Sequence, residues 1–227
     1  MLGVLSAGIA PGVALLSYFY LKDEYGVEPV KTVLRAFLSG VLVVFPIMFI
    51  QYIAEQETII TTPFIEAFVT SSLLEEFGKW FLMFFVVYKH ADFDEPYDGI
   101  VYGAAVSLGF ATLENIFYLF AFGLEQAMLR ALLPVSSHAI FGVIMGYYIG
   151  KLKFTTTKKR LLLSLSLIVP VFLHGIYDFI LITQEKWLLY MVPFMITLWI
   201  VGLWKVKKGH QLSTNYYREQ HKQQMDL

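Results

Sequence analysis

Apolar residues dominate this chain in long runs, broken by short polar stretches. Seven runs stand out, at 2–21, 33–54, 65–88, 98–122, 128–150, 161–182 and 187–204. A helix needs about 20 such residues to cross a hydrocarbon core of about 30 Å. Barrel strands alternate over about 10 residues, and these runs are too long and too continuous for that. The pattern therefore predicts an all-α, polytopic membrane bundle of about seven helices, with residues 1–204 as one transmembrane domain. Residues 205–227 read as a polar cytoplasmic tail, peripheral or disordered.

Composition narrows the class further. Of 227 residues, 57% are hydrophobic and 15% charged, against about 25% charged in a typical soluble protein. That excludes a soluble globular domain, a disordered chain and a disulfide scaffold. The absence of cysteine excludes thiol nucleophiles and thiolate metal sites. A net charge of −1 gives no electrostatic basis for binding nucleic acid. No Lys or Arg precedes Lys22, so the first run lacks the positive flank of a signal peptide and reads as a retained helix, bent near Ala10-Pro11-Gly12.

Basic residues set the orientation. Fourteen of the 17 Lys and Arg fall in connections on one side of the seven runs. Arg130 and Lys186 fall on the other, and Lys79 lies within a run. The positive-inside rule then places the N-terminus outside and the C-terminus in the cytoplasm. Gly142, Gly146 and Gly150, with Gly99 and Gly103, form small-residue faces suited to close helix packing.

Charge at bilayer depth costs at least about 2.5–3.5 kcal/mol per residue on insertion scales, so each instance needs a reason. The third run carries Glu75, Glu76 and Lys79, the fourth Glu114 beside Asn115, the fifth His138, and the sixth His174 and Asp178. Lys79 is one helical turn from both Glu75 and Glu76 and can neutralise either. His174 and Asp178 share a face at i, i+4, which lets the carboxylate fix the imidazole. Counted along the helices, these residues lie roughly four to eleven positions from the outer end of their runs. Four helices of alternating direction thus contribute to one polar chamber in the outer half of the bilayer.

Several chemistries suit such a chamber. His138, His174 and Glu75 could hold Zn2+ as a two-histidine, one-carboxylate set while another Glu acts as general base. In a metal-free version, Glu75 or Glu76 activates water, and His138, His174 or Asn115 stabilises the oxyanion. Ser107, Ser136 and Ser137 carry no nucleophile signature, and Asp178 is the one Asp away from the ends of a run, which disfavours serine and aspartyl proteolysis. Two other classes compete: a proton-coupled transporter relaying through the same residues, and a non-catalytic receptor with the cluster as interhelical glue.

Four motifs in order carry a resemblance: Glu75-Glu76-x-x-Lys79, Phe110-x-x-x-Glu114-Asn115, His138-x-x-x-Gly142 and His174-x-x-x-Asp178. Together with Ser6-Ala7-Gly8-Ile9-Ala10-Pro11-Gly12 and Tyr97-Asp98-Gly99-Ile100-Val101-Tyr102-Gly103, they resemble the PrsW family of bacterial membrane proteases across nearly the whole chain. That family is distantly similar to the CAAX-processing membrane proteases. The chain departs from the wider CAAX-type pattern at Lys79, where an Arg stands one position later, and at Glu114, where a His is common. The resemblance implies an endopeptidase of the bacterial cytoplasmic membrane. Its substrate would be a single-pass anti-sigma factor, cut at site 1 near the outer face under envelope stress. A second, intramembrane cut would follow and free the sigma factor. It also implies that the Glu pair and the two histidines are the catalytic or metal-associated positions.

Overall fold

The structure is a computed structural model that describes residues 1–57 and 61–225. It is helical, with no strand among the described residues. In chain order the helices are Leu2–Tyr20, Val30–Gln56, a composite third helix over 63–87, Asp98–Phe122, Leu124–Lys153, Lys159–Thr183 and Trp187–Met225. Six of the seven are long and apolar enough to cross a membrane. The third differs because it alternates α turns with π-helical stretches at Glu66–Leu73 and Met83–Val87, and because it carries Glu75, Glu76 and Lys79. Leu42, Phe85, Phe172 and Ile196 all face outward, as lipid-facing side chains of a bundle must.

Local signals account for the breaks. The second helix begins directly after Pro29. The third opens with the Thr62 hydroxyl accepting from the Ile65 amide at 3.3 Å, with Pro63 in the first turn. Gly123, at φ 89°, ends the fourth helix in a conformation open to glycine. The first helix runs unbroken through Pro11.

The fourth and fifth helices form the buried centre. Their backbones touch along the glycines: a Cβ built on Gly103 would lie 2.3 Å from the Gly142 carbonyl oxygen, and one on Gly146 would lie 1.9 Å from that of Gly99. The small-residue faces are thus a helix crossing. The first helix packs on the fourth with its glycines under side chains, Gly8 against Ile116 and Gly12 against Thr112.

The segment after residue 204 differs from the expected peripheral or disordered tail. The seventh helix continues unbroken to Met225, and Val206, Gly209 and Ser213 are buried. Gly202, Val206, Gly209 and Ser213 repeat at helical spacing and form a small, mostly apolar stripe. Gly209 lies against Ile100, His210 stacks on Tyr97 at 4.2 Å, and Ser213 Oγ accepts from the Tyr97 amide at 3.0 Å.

Candidate active site

The third, fourth, fifth and sixth helices each send ionisable side chains to one place. The π-helical stretch Glu66–Leu73 immediately precedes Glu75, and π turns widen a helix locally, often beside functional groups. Glu76 and Lys79 are both fully buried. Glu76 Oε1 accepts from Lys79 Nζ at 2.7 Å and lies 3.0 Å from His174 Nδ1. Lys79 Nζ is also 3.5 Å from Glu75 Oε2 and 3.0 Å from His138 Nδ1. Since an ammonium only donates, Nδ1 of His138 accepts here. Phe110 lies under the same nitrogen, 4.2 Å from its ring centre.

Each histidine has a carboxylate at its other nitrogen. His138 Nε2 is 3.1 Å from Glu114 Oε2, and His174 Nε2 is 3.3 Å from Asp178 Oδ2. Asp178 is fixed in turn by the Ser71 hydroxyl, which donates to it at 2.5 Å, and Glu114 by Arg130 at 3.1 Å. This is the arrangement by which outer carboxylates orient imidazole ligands. Phe141 stacks on His174 at 5.1 Å, and the Ser107 hydroxyl donates to the His138 carbonyl at 2.6 Å. Both imidazoles are thereby held in place.

Six of the titratable residues singled out from the sequence (Glu75, Glu76, Glu114, His138, His174 and Asp178) therefore converge, with Lys79 among them. Asn115 does not join them. Its amide nitrogen donates to the Gly8 carbonyl at 3.1 Å, and its oxygen accepts from Arg130 Nε at 3.0 Å. It ties the first helix to the fifth through both ends of its amide. Arg130, read from the sequence as an outer connection residue, is instead buried and packs on the Tyr118 ring at 4.0 Å. Its signal was available: a lone Arg about one helix length of chain from a membrane Glu.

A cleft of ≈ 290 Å³ reaches the cluster, lined by Gln51, Glu75, Phe110, Glu114 and Tyr118 among others. Gln51 also donates to Glu75 Oε1 at 3.3 Å. The residues suit a divalent metal. Glu75, His138 and His174 each offer one ligand atom within 4.8 Å of the others, the two-nitrogen, one-oxygen donor set of hydrolytic zinc sites. Glu75 Oε2 and Glu76 Oε2 are buried without a hydrogen-bond partner, which is costly unless a cation or proton takes them up. Lys79 supplies the positive charge in this arrangement.

A second buried polar group lies at the far end of the fourth helix, around Asp23, Glu28, Glu95 and Asp98. These residues fall in or beside connections, where charge is expected, so the hydropathy pattern does not single them out. Burial pushes the Glu95 carboxyl up to about 9 and that of Glu28 up to about 7.

Comparison with known proteins agrees with this geometry. Residues 28–203 match the family described as PrsW family intramembrane metalloprotease. The protein named Protease PrsW of Geobacillus kaustophilus is 62% identical over 92% of this chain and 93% of its own length. The Bacillus subtilis protein of that name is 59% identical over 94% and 98%. That of Clostridioides difficile is 31% identical over 86% and 87%. No solved structure gives a significant match. The chain belongs to the PrsW family of intramembrane metalloproteases, and it is a multi-pass membrane protein.

Proposed function

We propose that the chain performs the site-1 cut of a single-pass anti-sigma factor near the extracytoplasmic face, with Glu75, His138 and His174 as ligands of a zinc ion. The observation that carries this reading is the mutual approach of those three side chains within 4.8 Å, beside Glu76 Oε2, which has no hydrogen-bond partner. A zinc ion held there supplies Lewis acidity for polarising the scissile carbonyl and activating water.

The protein's own groups do the rest. Glu76, with Oε2 free of any partner, takes the proton from the attacking water. As the carbon–nitrogen bond breaks, that proton passes to the leaving amine, and a carboxylate and an amine are released. Lys79, 2.7 Å from Glu76 and fully buried, offsets part of the negative charge of the Glu pair. Glu114 and Asp178 orient His138 and His174 and touch no reacting atom. The excess of Lys and Arg in the connections facing away from the cluster supports an outward-opening site and a cytoplasmic tail.

The test is purified protein reconstituted with a membrane-tethered substrate carrying an anti-sigma ectodomain. Cleavage is expected to stop on chelation and to return with zinc. Cleavage that survives complete metal removal refutes the metal assignment. Retained cleavage in Glu75→Ala, Glu76→Ala and His174→Ala refutes the site altogether.

A further inference from the structure

The fourth helix joins two buried charged groups. Asp98 opens the helix and Glu114 lies sixteen residues later, so the acidic group around Asp98 is about 24 Å from the catalytic cluster at 1.5 Å per residue. Nothing in the proteolytic mechanism uses it.

Three carboxylates from two separate stretches of chain meet there: Asp23 after the first helix, and Glu95 and Asp98 around the start of the fourth. Each offers one oxygen within 4.8 Å of the other two. Glu95 and Asp98 are 0% exposed and Asp23 is 8% exposed. Both oxygens of Asp23, both of Glu95 and Oδ1 of Asp98 are buried with no hydrogen-bond partner. Among the described residues, no Lys, Arg or His nitrogen lies within 4.0 Å of any of the three.

The surroundings hold these groups in place. Asp98 Oδ2 accepts from the amides of Asp94 at 2.8 Å and Glu95 at 2.7 Å, which folds the connection back and leaves Oδ1 for the cluster. The adjacent Glu28 is different, because the Tyr102 hydroxyl donates to it. Ser213 Oγ accepts from the Tyr97 amide and brings no positive charge to the group. Three buried carboxylates without a countercharge would each carry a heavy desolvation penalty. Oxygen-only donor sets of this kind select hard cations over zinc.

We propose that Asp23, Glu95 and Asp98 bind a hard divalent cation of the Mg2+ or Ca2+ class, separate from the catalytic metal, which fastens the connections 21–29 and 88–97 to the start of the fourth helix. The role is structural.

The test uses the full chain in detergent, saturated with zinc and then titrated with Mn2+ as a paramagnetic probe read by the EPR signal of the free ion. One Mn2+ per chain is expected beyond the zinc content, displaceable by Mg2+ or Ca2+. Binding should weaken at least about tenfold in Glu95→Gln and in Asp98→Asn, and should be unchanged in Glu75→Gln. Hydrogen–deuterium exchange on the wild-type chain locates the site without any variant: Mn2+ should slow exchange in 21–29 and 88–97. Wild-type protein that binds no Mn2+, or that is protected elsewhere, overturns the proposal, because the three carboxyl groups then share protons instead. Loss of zinc or of cleavage with Mn2+ binding intact would count against the catalytic reading alone.

Discussion

His138 and His174 meet edge to face with ring centres 5.0 Å apart, each backed by a carboxylate on the side away from Lys79 or Glu76. The two rings come from different helices, so their approach is a product of tertiary packing. The backing carboxylates, Glu114 and Asp178, therefore act on the site through the histidines.

Removing either backing charge should weaken the centre without abolishing it. Glu114→Gln and Asp178→Asn are each expected to lower zinc affinity by about 10–100-fold. Cleavage should recover at high zinc. His138→Ala and His174→Ala should not recover at any zinc concentration. Zinc titration beside cleavage kinetics distinguishes the two patterns.

The adjacent glutamates should separate by function. Glu75→Gln is expected to lose metal and activity together. Glu76→Gln should keep metal while cleavage falls by at least about 100-fold, the usual contribution of a general base. Metal analysis of both purified variants, with equal cleavage assays, decides this; the reverse pattern would exchange the two roles.

Lys79 is expected to matter for folding before it matters for catalysis. It and Glu76 are both fully buried at 2.7 Å. Lys79→Met leaves an uncompensated carboxylate and should destabilise the protein by about 3–5 kcal/mol. The double variant Lys79→Met, Glu76→Gln removes both charges and should recover most of that loss. Thermal unfolding in detergent measures both.

The glycine crossing should tolerate no side chain. At Gly146 a methyl group would stand 1.9 Å from the Gly99 carbonyl oxygen, so Gly146→Ala must push two backbones apart. Loss of monodisperse protein on size exclusion is expected. At Gly3 the nearest atom is 3.5 Å away, the tip of Leu124, and Gly3→Ala should behave as wild type.

Much of this architecture was readable from apolar runs, since bilayer thickness forces helix length and the helix period places polar residues on faces. Glu75, Glu76, His138, His174 and Asp178 stood out because charge inside such runs is expensive. The same logic misplaced Arg130, whose neighbours in the sequence look like a connection while its partners, Glu114 and Asn115, lie on another helix. It also missed Asp23 and Glu95, which lie in connections yet are buried in the folded chain. The stripe that extends that helix lies in a polar stretch, where it gives little signal. The π turns before Glu75 have no local sequence signature.

The contact between the fourth and fifth helices has a mechanical consequence. Glu114 and His138 are mounted on two backbones that already touch, so nothing can be threaded between them. Glu75 sits on the neighbouring helix, beside an open groove of ≈ 710 Å³ bordered by Gln51, Glu55, Thr70 and Ser71. A polypeptide approaching the scissile position thus has one side of the vise immobile. A substrate that enters by this groove passes between the second and third helices, which supply Gln51, Glu55, Thr70 and Ser71 to its walls.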